Sequence, residues 1–506
     1  MAAIAPDIHR CGYERGETNF IGAQGDRTMT TKLAAKPQRL VPQRLAPHGM
    51  IPYRLSAAGS REANAWTTPV VKTALASIAF LANSNFNEKV LPGGDQSNIQ
   101  QYIVLVAWLG LIFASYFRRA CLSVAPAGGI CVLLGFYALA VISVAWSGDP
   151  ASGAPKAAAL AITTFGAWRL ARTVTLDMFI DAAIVGLFAL NAVSMLLAIL
   201  APDIGVLSDY QHAGQWNGIF MSKQSLGIAG AVLLFLASHR LMGPSRNKFH
   251  AAAIVVAIVC VLGSVSRGGG LLAAVSILGL YLASKSRRML GALAFVPFAM
   301  CLASILLIAY FVATGNKDIE VFDSNIDFTQ RSYIWQHALS YFPVRPWFGF
   351  GLNGFWTLAE VKNLFVERHG WFLDNYHNGA IAILMETGVV GLGAFVVAYL
   401  LLGLRVLAVL RPRETPDPDL VFALLFTSLI FMIDLTETFF LRSTNMVASL
   451  LLLCFFMPYA RRTGLVQPGL ASAAETREVS SARPWRGTLG RPGAGANRRE
   501  AARRGQ

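Results

Sequence analysis

Charge is scarce in this sequence. Only 14% of its 506 residues are Asp, Glu, Lys or Arg, against 55% hydrophobic, and the mean hydropathy is +0.50. Soluble domains run near ~25% charged, so the chain lacks the polar residues to cover a water-facing surface. Paired cysteines are missing as well. The six present (Cys11, Cys121, Cys131, Cys260, Cys301 and Cys454) include no C-x-x-C, and most lie in or beside apolar runs. That placement speaks for small buried hydrophobes rather than disulfides or a metal cage. There is no H-E-x-x-H, no heptad pattern and no usable internal repeat. Residues 1–65 contain no early apolar core of a cleavable signal peptide, so the first apolar run is expected to direct insertion. Carboxylates are few in the apolar segments: Asp181 within one, Asp434 and Glu437 near the end of another. A proton-coupled transporter is expected to carry more of them near mid-bilayer.

What the chain does have is apolar runs. About twelve candidate spans fall at 69–86, 100–117, 127–146, 154–171, 177–201, 217–237, 250–265, 268–284, 289–312, 379–409, 419–437 and 441–460. Several are short of the ~20 residues with which a helix crosses a ~30 Å hydrocarbon core. The pair 250–265 and 268–284 flanks Ser266-Arg267-Gly268-Gly269-Gly270, which reads either as a tight surface turn or as a dip within the membrane. The net charge of +15 sits largely in the tails and in connections on one side, among them Arg118, Arg119, Arg169, Arg172, Arg240, Lys285, Arg288 and Arg405. The short connections opposite hold only Lys89, Lys156, Lys223, Arg267 and Arg442. This is the positive-inside pattern of an inserted protein rather than a basic groove for nucleic acid.

The fold expected is therefore an all-α integral membrane protein of about twelve transmembrane helices with both termini cytoplasmic. Residues 1–65 and the basic segment 461–506 read as disordered tails, residues 66–460 as the membrane domain, and 313–378 as one long extracytoplasmic loop. Within that loop, Asp327 and Gln330 resemble a capping box, and Ile334, Ala338, Tyr341 and Phe342 follow on one helical face. Pro343 and Pro346 should end that helix. A second amphipathic stretch carries Phe355, Leu358, Val361 and Phe365. Both helices are expected to lie along the outer membrane surface as a lid over the bundle.

Several residues offer chemistry. Gly349-Phe350-Gly351-Leu352-Asn353-Gly354 matches G-x-G-x-x-G, but a dinucleotide site needs a preceding strand, and an amphipathic helix and Pro346 come first. A tight loop near the membrane surface is the expectation. Arg267 stands at the outer end of a span, either snorkelling to headgroups or contacting an anion at a helix N-terminus. Arg331 opens the first loop helix and is topologically close enough to share a phosphate clamp with it. His377, in Tyr376-His377-Asn378-Gly379, sits where the chain re-enters the membrane. An imidazole there suits proton transfer from a sugar hydroxyl. His337 and His369 share the loop without zinc-site spacing. Glu386 lies too far along a straight helix to touch His377 and should pair with a polar group on a neighbouring span.

Taken in order, Ser266-Arg267-Gly268, Asp327 to Trp335, Pro346-Trp347-Phe348-Gly349 to Trp356, and Tyr376-His377-Asn378-Gly379 continuing through Met385-Glu386-Thr387-Gly388 to Leu392 resemble the O-antigen ligase and polymerase superfamily. Phe355-Trp356 and the Arg331-x-x-x-Trp335 element are most similar to exopolysaccharide polymerases of the succinoglycan type. The resemblance covers roughly residues 70–460 and implies a metal-independent membrane glycosyltransferase of the bacterial inner membrane, its long loop periplasmic. Such enzymes join a glycan from an undecaprenyl-pyrophosphate carrier to an acceptor hydroxyl. They need no cofactor, and their setting includes membrane lipid and the flippase and chain-length regulator of an export system. On this chain it implies Arg267 and Arg331 at the pyrophosphate and His377 at the acceptor, with Lys223, Trp335, Asn378 and Glu386 contacting substrate. The family's His-Lys-Asn element reads Ser222-Lys223-Gln224 here, which leaves the acceptor side open. Polymerase and ligase are not separated by sequence, and a lipid-linked glycan transporter is the rival from another class.

Overall fold

The structure, a computed structural model, describes residues 67–81, 90, 96–116, 122–124, 128–208, 212–243, 247–293, 295–315, 319–321, 324–326, 331–361, 363, 367, 375–409, 418–435, 437–441, 446–456 and 460–462. Both tails, apart from Arg461 and Arg462, lie outside these residues. So do the expected capping pair Asp327 and Gln330, and Phe365 and His369.

The architecture is helical. In chain order the helices are α1 (Thr67–Leu81), α2 (Gln96–Tyr116), α3 (Gly128–Ile142), α4 (Pro150–Leu170), α5 (Leu176–Leu200), α6 (Pro202–Gly205), α7 (Lys223–Met242), α8 (Lys248–Ser264), α9 (Arg267–Lys285), α10 (Arg287–Leu293), α11 (Val296–Thr314), α12 (Arg331–Ser340), α13 (Gly379–Val409), α14 (Pro418–Asp434) and α15 (Met446–Phe456). Two short antiparallel pairs join them: β1 (Leu122–Val124) with β4 (Ala460–Arg462), and β2 (Ile319–Val321) with β3 (Ser324–Ile326). The expected end of the membrane domain at residue 460 thus falls inside β4.

A helix stands at each of the expected spans. Among the described residues six helices are long and apolar enough to cross a membrane: Gly128–Trp146, Leu176–Leu200, Lys223–Met242, Arg267–Lys285, Arg288–Thr314 and Gly379–Leu404. Four more are apolar but shorter, Pro69–Leu81, Tyr102–Tyr116, Lys248–Ser264 and Val421–Asp434. The chain is an α-helical membrane protein. Local sequence sets the helix starts: the side chains of Asp149, Thr175, Ser222, Asn247 and Ser266 each accept a hydrogen bond from the backbone N–H three residues on. Each satisfies one of the donors that a helix start leaves orphaned.

The run 217–237 is helical only from Lys223, since Asn217 to Ser222 form a turn capped by Ser222. The α8–α9 break is a tight turn through Val265, which takes φ +48°. The helix at Arg331 ends at Ser340 ahead of Pro343, where a 3-10 turn follows over Phe342–Val344. The second amphipathic stretch is α-helical only from Ala359. Phe355–Thr357 is a 3-10 turn, because Phe355 and Trp356 are drawn into an aromatic core rather than laid on a surface.

Charge placement has a structural outcome at the start of α5. Arg240, near the end of α7, is buried. Its guanidinium meets Asp181 at 2.7 and 2.9 Å and Asp177 at 2.6 Å. Asp181, the carboxylate read from sequence as lying inside a span, is one jaw of this clamp between α5 and α7.

The glycine-rich loop is the main architectural device. Gly388 breaks α13 with φ +68°. A break in an apolar bundle leaves backbone groups without partners, which is costly away from water. Residues 346–351 supply them: Phe350 N–H donates to Met385 O (2.8 Å) and Gly351 N–H to Glu386 O (3.0 Å). In return Val389 N–H reaches Pro346 O (2.9 Å) and Val390 N–H reaches Trp347 O (3.2 Å). The approach needs glycine on both sides. A Cβ at Gly388 would stand 2.2 Å from Trp347 O, and one at Gly349 would stand 2.6 Å from Met385 O. The same loop is fixed to the α3–α4 corner by Leu352 N–H to Ser143 Oγ (2.8 Å), Arg345 to Trp146 O (2.9 Å) and Lys156 to Asn353 Oδ1 (2.6 Å).

Gly388→Ala should therefore cost about 1–3 kcal/mol through a strained φ and a backbone clash. It should lower the melting temperature of the detergent-solubilised protein. Gly393→Ala, where an added Cβ meets nothing within 4 Å, should leave it unchanged or slightly raised.

Candidate functional site

Arg331 and His377 come together through a third residue. Arg331 opens α12, and its Nη2 stands 2.7 Å from Glu437 Oε1. His377 Nδ1 stands 3.2 Å from the other oxygen, Oε2. A single carboxylate bridges the two groups assigned from sequence to leaving group and acceptor. Glu437 follows α14 and is 60 residues from His377 and 106 from Arg331. An acid at a span end reads as ordinary solvation, and no spacing in the chain announces its partners.

The clamp rests on packing. Trp335 lies one helical turn beyond Arg331, fully buried, and its indole N–H donates to Tyr376 O at 2.9 Å. Tyr376 is buried in turn, its ring 4.8 Å from that of Trp356 and stacked at 5.8 Å on Phe355. These rings, with Phe311, Phe350 and the start of α13, form a second apolar core apart from the main bundle core. Burial pushes the Tyr376 phenol well above its ordinary pKa, and the nearby Glu386 carboxylate adds to the shift. The Arg331-x-x-x-Trp335 spacing thus has a mechanical meaning: the tryptophan ties the arginine's helix to the residue before His377.

His377 itself takes φ +51°, the left-handed region. Its backbone N–H donates to Asn375 Oδ1 at 3.2 Å. Asn378 is fully buried. Its Oδ1 caps α13 through Ile381 N–H (3.0 Å), and its Nδ2 donates to Leu435 O (3.1 Å). Asp434 closes the turn carrying Glu437 by accepting from Phe439 N–H at 2.8 Å. Its carboxylate packs so closely on Gly379 that a Cβ there would lie 1.4 Å from Oδ2. The start of α13 and the end of α14 are stitched together at the level of His377.

The other expected cations form a second group. Arg267 is the first residue of α9 and is exposed; Lys223 is the first residue of α7 and donates to Gln215 Oε1. The two helix starts meet at glycines, where a Cβ at Gly269 would stand 2.6 Å from Gly227 C. Two cations on two adjacent helix N-termini favour an anion electrostatically.

The structure holds Trp335, Asn378 and Glu386 by internal contacts. Trp335 and Asn378 fasten the His377 loop as described. Glu386 lies buried at the α13 break, its carbonyl taken by Gly351 N–H, and its carboxylate acts electrostatically on Tyr376. Among the described residues no three His, Cys, Asp or Glu side chains gather as a metal site.

Residues 252–396, from α8 into α13, match the family model described as O-antigen ligase. The chain carries an O-antigen ligase domain over this stretch. No curated protein matches it. The O-antigen ligase domain contains Arg267, Arg331, His377 and the break at Gly388, whereas Lys223 and Glu437 lie outside the matched stretch.

The ion pair can be measured directly. A double-mutant cycle on thermal stability, with Arg331→Ala and Glu437→Ala alone and combined, should give a coupling of about 0.5–1.5 kcal/mol. Additive effects would mean that the two side chains do not meet.

Proposed function

We propose that this protein is a polysaccharide polymerase that transfers glycan from an undecaprenyl-pyrophosphate carrier to a hydroxyl of a lipid-linked repeat unit. The observation that carries the reading is the Arg331–Glu437–His377 cluster, in which a cation and an imidazole of the O-antigen ligase domain share one carboxylate. In this reaction the acceptor oxygen forms a bond to the anomeric carbon. The bond from that carbon to the pyrophosphate breaks, and its electron pair leaves on the phosphate oxygen. His377 takes the hydroxyl proton on Nε2, and Arg331, with Arg267 and Lys223, receives the negative charge that develops on the leaving group. Guanidinium groups suit this role because their planar donors match phosphate oxygens. The reading assigns the charge work to these cations and invokes no metal and no nucleotide sugar. Trp335, Asn378 and Glu386 act by holding the site in shape.

The setting proposed is the bacterial inner membrane, crossed about twelve times with both tails cytoplasmic and residues 313–378 periplasmic. Contacts at the two bundle ends support this. One end gathers the α3–α4 corner, the 345–354 loop, the start of α13 and the end of α14. Elsewhere β1 pairs with β4 and Arg240 joins the start of α5 to the end of α7, as strict alternation of spans requires at the opposite end. Residues 66–460 would then be the enzymatic unit, most similar to succinoglycan-type polymerases and working with a flippase and a chain-length regulator. The second reading is a ligase that moves finished polymer to another acceptor, favoured by the description of the matched family itself.

The test is the size distribution of carrier-linked glycan in cells lacking the protein, with wild type, Arg331→Ala or His377→Ala restored. Single repeats should accumulate without it, and only wild type should restore long chains, each variant losing about 10²–10³ in rate. Long chains that persist on the carrier but reach no final acceptor would make it a ligase. Unchanged glycan in every strain would end the enzymatic reading.

A further inference from the structure

We propose that Glu437 is a positioning residue that makes donor binding the trigger for acceptor activation. The inference rests on the glycosyl-transfer reading above and deepens it. Glu437 offers one negative charge to two groups with opposite duties. Its Oε1 holds Arg331 at 2.7 Å, the shorter contact, and its Oε2 holds His377 Nδ1 at 3.2 Å. All three side chains are largely but not wholly enclosed, at 18%, 16% and 29% exposure for Arg331, Glu437 and His377, so their mutual attraction is only partly screened by water. Glu437 cannot easily swing away, because Asn378 and Asp434 fasten the turn that carries it to the start of α13.

Without donor, Arg331 and Glu437 neutralise one another. A lipid pyrophosphate carries more charge than a carboxylate and presents oxygens that suit a guanidinium fork, so it competes for Arg331. As Arg331 turns to the phosphates, the Glu437 carboxylate loses that cation. His377, bound to the same carboxylate through Nδ1, then feels more of its charge. The carboxylate then fixes the tautomer with Nε2 toward the acceptor and stabilises the imidazolium that forms as the hydroxyl loses its proton. The acceptor is thereby activated only when a donor is present, which guards the arriving chain end from idle proton transfer.

Glu437→Gln keeps the shape and removes the charge. For purified protein in nanodiscs, it should bind undecaprenyl pyrophosphate about three- to tenfold more tightly, since Arg331 is released. Its glycan-transfer turnover should fall about 10²-fold or more. In Arg331→Gln/Glu437→Gln the gain in binding should vanish. A merely structural Glu437 predicts weaker or unchanged binding in Glu437→Gln, and that result overturns the proposal. In wild type, nitrogen NMR of labelled histidine should move the His377 Nδ1 resonance when undecaprenyl pyrophosphate is added; a fixed resonance on saturated protein also overturns it. If wild type neither binds the carrier nor transfers glycan, the glycosyl-transfer reading itself fails, and the inference with it.

Discussion

An interrupted helix inside an apolar bundle must find partners for the backbone groups it frees, and the candidate site depends on how this chain meets that demand. The break at Gly388 exposes the carbonyls of Met385 and Glu386 and the N–H groups of Val389 and Val390. A loop from a distant part of the sequence takes up all four. That exchange fixes the angle at which the first turns of α13 leave the bundle. His377 and Asn378 immediately precede those turns, so the position of the imidazole is set by hydrogen bonds made ten or so residues away and by two glycines with no room for a side chain. The glycine-rich motif is thus a structural plug. Its glycines answer to close backbone approach, the same property that serves phosphates in nucleotide folds, put here to a different use.

The second layer of support is aromatic. Trp335, Tyr376, Phe355 and Trp356 form a compact core of their own under the site. Rings have few rotamers and bury large areas, so they hold geometry at low entropic cost. The Trp335 N–H to Tyr376 O bond of this core couples the helix of Arg331 to the backbone before His377. Charge is placed on a rigid apolar footing, which is what preorganised electrostatic stabilisation requires.

The sequence was legible where physics is local. Apolar runs predict the helices, because crossing or packing in a membrane demands them within one segment. The end of α12 ahead of Pro343 was readable for the same reason. Arg331 and His377 stood out through an ordered set of motifs, which the O-antigen ligase match over residues 252–396 supports. Glu437 did not, because the partners that draw it into the site lie 60 and 106 residues away. Arg240 shows the same limit: counted as one more cytoplasmic charge, it is buried between two aspartates and acts as a staple. In the stretch from Phe355 the periodicity was real, but two adjacent buried rings delay the α-helix to Ala359.

Backbone strain marks the same places independently. Among the described residues three that are not glycine adopt positive φ: Val265, Asn353 and His377. Each lies at a loop the site depends on, before Arg267, within the glycine-rich plug, and at the imidazole itself. A β-branched residue in the left-handed region is disfavoured by sterics, and histidine there gains nothing locally beyond the bond of its N–H to Asn375. Such conformations persist only where surroundings over-determine them. For His377 the surroundings are explicit: Tyr376 is buried and bonded on one side, and Asn378 is buried and bonded on the other. The chain must turn sharply between them, and the left-handed residue aims the imidazole away from both anchors toward Glu437. A glycine would make the turn without strain. A histidine in that turn agrees with the acceptor role proposed for its imidazole.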